Sequence, residues 1–363
     1  MKSFNITLAP GDGVGPEIMN EAVKVLDSIS SHYNVEFDYK KILVGGAAID
    51  AYGVALKDED LETAKQSDAI LFGAVGDPRF DHPGFKVRPE QAILKLRKGA
   101  GFFANLRPVI VCDDLLDASP IKPEIVKDTD IMIVRELTGG IYFGEPRRRW
   151  DEEGVGQAVD TMRYNSKEID RVVRLAFELA KKRRGKLTSV DKANVLDTSR
   201  LWRETASAVA TDYPDVEFEH MLVDACAMHL INRPTRFDVI VTENMFGDIL
   251  TDEASMLSGS LGVMPSAGLG YKNLGGLQPG LYEPIHGSAP DIAGQGIANP
   301  IGMIKSAAMM LRYSLGLEQA AAAVEQAVDK TLADGIRTSD LQKNDQPCIS
   351  TVQMGDEITS RID

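Results

Sequence analysis

The pattern of apolar and polar positions predicts strands and helices that follow one another along the chain. Strand patterns, with alternating or wholly apolar residues, occur at 4–9, 35–41, 69–74 and 131–136. Helical periodicity occurs at 18–29, 61–66, 89–98 and 165–184, and two further helices are predicted across 301–333. Asn165 and Glu168 have the spacing of a capping box and mark the start of the 165–184 helix. This alternation predicts an α/β fold in which helices cover a sheet.

The first strand leads into a glycine turn, Gly11 to Glu17, and then into a helix. Pro16 suits the first turn of a helix, where its missing N–H costs nothing. It also takes the place of the third glycine of a dinucleotide-binding GxGxxG fingerprint, which argues against a Rossmann site. We therefore predict a tight strand-to-helix turn here and leave direct ligand contact open.

Two breaks in the pattern predict the domain organisation. Glycines at 99–101 mark one candidate boundary, and the loop after Ser258 marks the other. We predict a discontinuous domain of residues 1–101 and 259–363 around an inserted domain of residues 102–258, with 259–280 as a glycine-rich loop region. Residues 136–164 are extended and broken by glycines, which predicts an arm or a hairpin.

Composition narrows the class of partner. The net charge of −14 over 363 residues argues against nucleic acid or an anionic membrane, so a small anion would need a local cluster of arginines or a metal. Cys112, Cys226 and Cys348 form no CxxC pair, which favours free thiols in a reducing compartment. The chain shows no signal-peptide pattern and no apolar stretch that would span a bilayer. These features predict a cytoplasmic protein.

An acidic pair provides the first chemical signal. Residues 242–257 predict a strand end, a turn and a helix that starts near Phe246. Asp248 and Asp252 are four residues apart and so share one helical face. Such a pair suits a hard divalent cation, although a solvated acidic face is the alternative.

A second signal lies in residues 89–108. Glu90, Ile93, Leu94 and Arg97 have the spacing of a single helical face. This face predicts a pocket wall with an aliphatic patch and an arginine for an acid group; solvated ends around two buried aliphatic side chains are the alternative. Arg107 adds a second guanidinium, which binds carboxylates in bidentate fashion.

A third arginine ends a predicted strand. Arg135 follows apolar residues, where burial without a partner would be costly, so an ion pair with Glu136 or another acid is the structural alternative. Tyr142 lies in a glycine-rich stretch and is either functional or a packing aromatic. Three arginines and a divalent metal together would suit a dicarboxylate.

Lys192 and Asp224 each follow strand-like apolar residues, where sites of α/β proteins collect. A lysine near a metal or another cation can serve as a base, because its neutral form is favoured there. Surface exposure is the alternative for Lys192, and a helix cap is the alternative for Asp224.

Several motifs together give the chain a family resemblance, which covers essentially its whole length. They are LAPGDGVGPE, LRKG with NLRPV, RELTGGIYFGEPR, DKANVL, VDACAMHL, ENMFGDILTDEAS and EPIHGSAPDIAGQGIANP. The chain resembles the isocitrate/isopropylmalate dehydrogenase family of β-decarboxylating hydroxyacid dehydrogenases. The resemblance implies that family's fold, two α/β domains sharing a large mixed sheet, which is not a Rossmann fold.

The resemblance also implies roles for matching positions. Arg97, Arg107 and Arg135 would bind the substrate carboxylates, and Asp224, Asp248 and Asp252 would hold Mg²⁺ or Mn²⁺. Tyr142 and Lys192 would carry proton transfer. The inserted domain would bind substrate and metal and form a homodimer. Lys192 and Asp224 would enter the partner's site, and the 136–164 arm would lie between the subunits.

The segment 283–300 resembles the family's nucleotide loop and implies NAD as cofactor, bound by the discontinuous domain. The cofactor-binding residues would be Glu283, His286, Gly287, Ser288, Ala289, Asp291, Ile292 and Asn299. Asp291 offers an acceptor to a ribose hydroxyl and repels a 2′-phosphate, and no Lys or Arg lies between Glu283 and Pro300 to bind that phosphate. After Leu341, Gln342 and Lys343 replace the expected glycines, so no adenine contact is assigned there.

The reaction that the resemblance implies is oxidative decarboxylation of (2R,3S)-3-isopropylmalate to 4-methyl-2-oxopentanoate and CO₂ in leucine biosynthesis. Ile93, Leu94 and Val195 are then expected to line the pocket for the isopropyl group, and Glu90 and Asp224 to lie beside the substrate. The alternatives are a paralogue that acts on malate, tartrate or homoisocitrate, or a dicarboxylate-binding protein without turnover.

Overall fold

The structure is a computed structural model that describes residues 2–82, 84–272, 276–342 and 347–363. The strands are β1 (Lys2–Gly11), β2 (Val35–Lys41), β3 (Ala69–Ala74), β4 (Ala104–Ile110), β5 (Asp130–Glu136), β6 (Arg148–Glu152), β7 (Val155–Val159), β8 (Lys186–Asp191), β9 (Glu217–Leu222), β10 (Val239–Thr242), β11 (Pro265–Leu269) and β12 (Gly280–Pro284). The α-helices are α1 (Gly15–Tyr33), α2 (Gly46–Tyr52), α3 (Asp58–Gln66), α4 (Gln91–Gly99), α5 (Pro123–Val126), α6 (Ser166–Lys181), α7 (Asp197–Ala210), α8 (Val223–Asn232), α9 (Asn244–Ser255), α10 (Ile301–Tyr313), α11 (Glu318–Ala333) and α12 (Thr351–Thr359).

The chain divides into two compact units. Unit 1 contains Met1–Phe102, Cys112–Pro120 and Ser258–Asp363, and unit 2 contains Phe103–Val111 and Ile121–Leu257. The predicted division differs chiefly at Cys112–Pro120, which was placed in the inserted domain. This segment belongs with unit 1 because Arg337 forms an ion pair with Asp117, 3.0 Å between Nη2 and Oδ1.

Unit 1 is built on the strand order β2-β1-β3-β12-β11. The first four strands are parallel, and β11 pairs antiparallel with β12. Helix α1 begins at the predicted glycine turn, with a proline in its first turn and Gly11 and Gly13 at positive φ. Its apolar side chains, including Ile18, Val25 and Ile29, are fully buried.

One sequence prediction in unit 1 is wrong. Residues 259–280 were predicted to be a loop region, but Pro265–Leu269 forms the buried strand β11. Its sequence, PSAGL, contains few of the β-branched and aromatic residues that usually mark a strand. Small side chains and a proline at the first strand position are compatible with a buried strand, but they give no clear periodic signal.

Unit 2 is built on the strand order β4-β5-β10-β8-β9. Strand β4 is antiparallel to β5, and the remaining pairs are parallel. Successive strand residues point to opposite faces, and Arg135 contacts α9 whereas Glu136 pairs with Arg171 of α6. Helices α6 and α9 therefore cover opposite faces of this sheet.

The predicted arm contains an exposed hairpin, in which β6 pairs antiparallel with β7. The helix that follows, α6, starts with the predicted capping box of Asn165 and Glu168. None of the helices in the described ranges combines the length and the apolar character needed to cross a bilayer.

Candidate active site

Helix α9 carries the acidic pair, and it begins earlier than predicted. The helix starts at Asn244 rather than near Phe246, because the Glu243 carboxylate caps it. This carboxylate accepts hydrogen bonds from the backbone N–H groups of Phe246 and Met245, at 2.6 and 3.1 Å. Glutamate is not among the preferred N-cap residues, so the start of the helix at Asn244 could not readily be predicted from the sequence.

The acidic pair of α9 faces two arginines within unit 2. Arg135 Nη1 forms an ion pair with Asp248 Oδ1. Arg107 lies between the two carboxylates, with Nη1 3.3 Å from Asp252 and Nη2 3.7 Å from Asp248. Both guanidinium groups are buried, at 8% and 3% side-chain exposure for Arg107 and Arg135, whereas Asp252 is 66% exposed. The alternative interpretation of the pair as a solvated acidic helix face therefore fits Asp252 better than it fits Asp248.

Strand register brings these arginines together. Asn105 of β4 lies directly opposite Arg135 of β5, and Arg107 is two residues further along β4. Alternate residues share a face, so all three side chains point toward α9. Arg107 is held by Asn105 Oδ1 at 2.8 Å from Nε and by Thr251 Oγ1 at 2.7 Å from Nη1.

Gly247 makes room for Arg135. A Cβ at position 247 would lie 2.6 Å from Arg135 Cγ and 2.8 Å from its Cβ. The glycine is in a helix, where alanine is otherwise favoured by about 1 kcal/mol. Its presence is explained by the passage of the arginine side chain across α9.

Tyr142 reaches the same cluster. Its hydroxyl donates to Asp248 Oδ2 at 2.8 Å, and Arg135 lies over its ring at 5.7 Å. Burial raises the pKa of Tyr142 to about 12, and the hydrogen bond to Asp248 adds to this shift. The residue is thus a protonated phenol at neutral pH whose hydroxyl is hydrogen-bonded to the acidic pair.

Two carboxyl groups, Asp252 on α9 and the N-cap Glu243, have raised pKa values. Partial desolvation beside the arginines raises the pKa of Asp252 although the side chain is largely exposed, and the charge of Arg107 opposes that shift. Burial raises the pKa of Glu243 as well, against the hydrogen bonds from the helix N-terminus. In the chain without ligands, acid groups here are held by arginines and backbone donors.

Lys192 and Asp224 form a separate pair in unit 2. They follow the adjacent parallel strands β8 and β9, whose register places Asp191 opposite Leu222. Lys192 Nζ donates to Asp224 Oδ1, which lowers the pKa of Asp224. In the described part of the chain, no group of three or more acidic, His or Cys side chains is arranged to hold a metal ion. The predicted ligand Asp224 is therefore not brought to Asp248 and Asp252 within the chain.

The remaining predicted substrate residues divide between the units. In unit 1, Arg97 binds Glu283, 2.7 Å between Nη2 and Oε1, and its buried Nε has no partner among the residues that the structure describes. Ile93 is buried, Leu94 half-buried and Glu90 exposed. Val195 of unit 2 is 60% exposed, on the turn that follows Lys192.

The predicted cofactor segment follows β12 in unit 1. Ser288 is buried, and its carbonyl accepts from the Val14 N–H at 2.8 Å, so the segment packs on the glycine turn before α1. Gly287 has open space where a Cβ would stand, and Ala289 has φ of +41°. Asp291 is exposed and Ile292 half-buried.

Two polar residues of this segment have partners. His286 Nδ1 contacts the Gly287 carbonyl at 2.8 Å, and burial lowers the pKa of His286, which favours a neutral ring. Asn299 donates to Asp340 at 3.1 Å, and Asp340 also accepts from Ser260 and Thr338. Of the two residues that replace the expected glycines, Gln342 is exposed and Lys343 lies outside the described residues.

Sequence reasoning missed the residues that hold the charged groups in place. Asn105 and Thr251 hold Arg107, and Asn244 binds Arg135. Only one signal was available beforehand, namely that Asn105 and Arg107 share a strand face. Asn105 is close to Arg107 in the sequence, but Thr251 and Asn244 are each more than 100 residues away from the arginine that they contact.

Comparison with known proteins identifies a family for the whole chain. The isocitrate/isopropylmalate dehydrogenase family matches residues 5–358. A 3-isopropylmalate dehydrogenase of Dehalococcoides mccartyi is 57% identical over 361 residues, covering 99% of each chain. One of Aquifex aeolicus is 51% identical over 363 residues, covering 100% of this chain and 98% of the relative.

Solved structures agree with the fold. The isocitrate dehydrogenase of Methylococcus capsulatus has a TM-score of 0.86 at 36% identity, with 99% of each chain covered. A β-decarboxylating dehydrogenase of Thermococcus kodakarensis in its apo form has a TM-score of 0.77 at 37% identity, with 99% and 96% covered. The chain belongs to the isocitrate/isopropylmalate dehydrogenase family.

Proposed function

We propose that the protein catalyses oxidative decarboxylation of (2R,3S)-3-isopropylmalate to 4-methyl-2-oxopentanoate and CO₂ in leucine biosynthesis, with reduction of NAD. The observation that carries this proposal is the cluster of two buried arginines, Arg107 and Arg135, against Asp248 and Asp252. The name shared by relatives at 51–57% identity over nearly the full chain supports the choice of substrate.

The arginines suit a dicarboxylate. A protein of net charge −14 repels anions, so a doubly charged substrate needs local positive groups. Arg107 and Arg135 provide two buried guanidinium groups on one sheet face. Arg97 has a buried Nε that meets no partner in the described part of the chain, and a substrate carboxylate could use this donor. These three residues would bind and orient the substrate.

The oxygen donors fit a hard divalent cation, Mg²⁺ or Mn²⁺. Asp248 and Asp252 would hold it from one turn of α9, with Asp224 from a second subunit. When bound, the cation supplies Lewis-acid polarisation of the substrate oxygen.

Two residues of this chain would carry protons. Lys192 would accept the proton of the substrate hydroxyl as C2 loses its hydride, directly or through a relay. Tyr142 would donate a proton to the enol that remains after CO₂ leaves. Its pKa of about 12 keeps its proton available at neutral pH.

The segment 283–300 would bind NAD, which supplies the hydride acceptor. Open space beside Gly287 permits close approach of a phosphate to the backbone. The neutral ring of His286 would stack near adenine, and exposed Asp291 would accept from the ribose hydroxyl. Because this carboxylate repels a 2′-phosphate, NAD is expected to be preferred. Comparable kcat/KM with NADP would contradict the assignment.

We further propose a homodimer whose sites are shared between subunits. Asp224, Met228 and Ile231 lie on one face of α8 by spacing, and Met228 and Ile231 are 62% and 40% exposed. Ile249 of the neighbouring helix α9 is 60% exposed, beside Asp248. Exposed apolar side chains beside the proposed metal ligands favour burial of this surface by a second copy of the chain. That copy would bring Lys192 and Asp224, and Val195 on the same turn, to the site.

The three cysteines are free, as suits the reducing cytoplasm in which we place the enzyme. The activity is tested by NADH absorbance at 340 nm with magnesium and a panel of 3-isopropylmalate, malate, tartrate and homoisocitrate. The highest kcat/KM is expected with 3-isopropylmalate. A higher value with another acid would indicate a paralogue, and no turnover with any of them would indicate a binding protein.

A further inference from the structure

Asn244 connects two parts of the proposed site without being a ligand or an acid–base group. It is the first residue of α9 and has no solvent exposure. Each polar atom of its side chain has a partner, and the two ends of the amide serve different elements. The Oδ1 atom binds an arginine of the site, and the Nδ2 atom binds the turn that leads to the tyrosine.

The first end positions the Arg135 guanidinium. Asn244 Oδ1 accepts from Nε at 3.0 Å and from Nη2 at 2.8 Å. An arginine only donates, so the amide oxygen must face it. The orientation of the amide is thereby determined by chemistry, and the third nitrogen, Nη1, is left to face Asp248.

The second end positions the turn before Tyr142. Asn244 Nδ2 donates to the Gly139 carbonyl at 3.1 Å. The N–H of Gly139 donates to Glu136 Oε2 at 2.8 Å, so the residue is held from both sides. Tyr142 follows three residues later and reaches Asp248. Arg135, Asn244, the Gly139 turn, Tyr142 and Asp248 thus form a closed ring.

Asn244 is itself held in place. Its backbone N–H donates to the Tyr164 hydroxyl at 3.0 Å, and that hydroxyl donates to Glu243 at 3.2 Å. The Tyr164 ring also lies against Gly139, where a Cβ would come within 2.6 Å of it. A buried network in which every member has a partner is rigid and specifies one geometry.

We propose that Asn244 is a positioning residue that couples the substrate-binding Arg135 to the proton-donating Tyr142. This inference rests on the proposed function, because it assumes that these two residues act on the substrate. Displacement of a catalytic group by about 1 Å can cost about a hundredfold in rate, so loss of the coupling is expected to be measurable.

Two substitutions separate the two ends of the amide. Asn244→Asp retains an oxygen for Arg135 but places a second oxygen against the Gly139 carbonyl, which loosens the Tyr142 turn while the contact to Arg135 remains. Asn244→Ala removes both contacts. Glu136→Gln is the matched comparison, because Glu136 accepts from the Gly139 N–H and its side chain lies on the sheet face opposite to that of Arg135.

The experiment measures steady-state kinetics and one partial reaction. Exchange of the C3 hydrogens of 4-methyl-2-oxopentanoate in D₂O, followed by NMR with magnesium present, reports the proton step without hydride transfer. For Asn244→Asp and Glu136→Gln, kcat and the exchange rate are expected to fall about tenfold or more, with KM within about threefold. For Asn244→Ala, KM is expected to rise as well.

A merely structural role would lower thermal stability and the yield of active enzyme, but KM, and both kcat and the exchange rate per folded active site, would stay at wild-type values. That pattern, or wild-type kcat and exchange in Asn244→Asp, would overturn the proposal. Should Asn244→Asp fail to fold, Asn244→Ser takes its place and must show the losses of Asn244→Ala. Failure of the proposed function is distinguishable, because wild type would then show no turnover, or Tyr142→Phe would exchange at the wild-type rate.

Discussion

Arg135 and Asp248 form an ion pair in the chain, although one is the proposed substrate ligand and the other the proposed metal ligand. Arg135 is buried, and Asp248 also accepts from Tyr142. Asp248 therefore balances a buried charge before any ligand binds. The acidic pair of α9 is part of a neutralised cluster, and its two members have unequal structural roles.

The first prediction concerns the stability of the metal-free protein. Asp248→Asn is expected to lower the free energy of unfolding by about 2 kcal/mol, because Arg135 loses its charged partner. Relief of the repulsion with Asp252 would return at most about 0.5 kcal/mol. The exposed Asp252 provides the matched control, and Asp252→Asn should cost less than about 1 kcal/mol. Urea unfolding in EDTA checks both values; a more stable Asp248→Asn protein would contradict the ion pair.

The second prediction concerns metal binding. Magnesium is expected to raise the melting temperature of the wild type in a saturable manner, because ligands stabilise the state that binds them. Asp252→Asn should lose most of this rise and most of the activation by magnesium. Equal magnesium titrations of the two proteins would show that Asp252 is not a ligand.

The third prediction is that Gly247→Ala impairs substrate binding. Alanine favours a helix by about 1 kcal/mol over glycine, so an unobstructed position would gain stability. Here the new Cβ would meet Arg135 Cγ at 2.6 Å and displace the arginine. A rise in KM for 3-isopropylmalate of about tenfold is expected, with a smaller change in the KM for NAD. An unchanged KM together with higher stability would show that Arg135 has room to move.

These contacts show why sequence reasoning reached only part of the site. The charged residues were found because charges next to apolar strand patterns are conspicuous, as for Arg135. Asn244 and Thr251 were not found, because their roles depend on partners brought by strands far away in the chain.

The fold, too, could be predicted from the sequence only where the signal is local. The capping box at Asn165 is local and was predicted, whereas the cap at Glu243 is an uncommon residue for that position. Strand β11 was missed because its small residues give no periodic pattern.

The fourth prediction concerns pH. Burial raises the pKa of Glu243 above its ordinary value of 4.5, so the folded protein binds this proton more tightly than the unfolded chain does. The stability that this group contributes is present below pH 4.5 and is lost as pH rises through the folded value. Glutamine does not ionise. The stability of Glu243→Gln relative to wild type is therefore expected to improve from pH 4.5 upward, as urea unfolding across this range would show. A constant difference would mean that the Glu243 pKa is not raised.

The fifth prediction concerns substrate selection. Leu94 is half-buried next to Ile93 and is the more accessible of the two for contact with the isopropyl group. Leu94→Ser is expected to reduce the ratio of kcat/KM for 3-isopropylmalate to kcat/KM for malate. The reduction should correspond to about 1–3 kcal/mol of lost discrimination. An unchanged ratio would place the pocket elsewhere.

In the proposed dimer, one copy of the chain supplies Asp248, Asp252, Arg107 and Arg135 to a site, and the other copy supplies Lys192 and Asp224. The two sets occur in one unit but pair separately within the chain. Complementation tests the claim with Lys192→Ala and Asp252→Asn, two substitutions outside the core, each expected to be nearly inactive alone.

The two variants are unfolded and refolded together in equal amounts, and the dimers are verified by mass spectrometry. In a mixed dimer, one site collects both lesions and the other collects neither. Random pairing makes half of the dimers mixed, so about a quarter of wild-type activity is expected to return. If each site were built within one chain, every site in the mixture would carry one lesion. Verified mixed dimers without recovered activity would therefore contradict active sites shared between subunits.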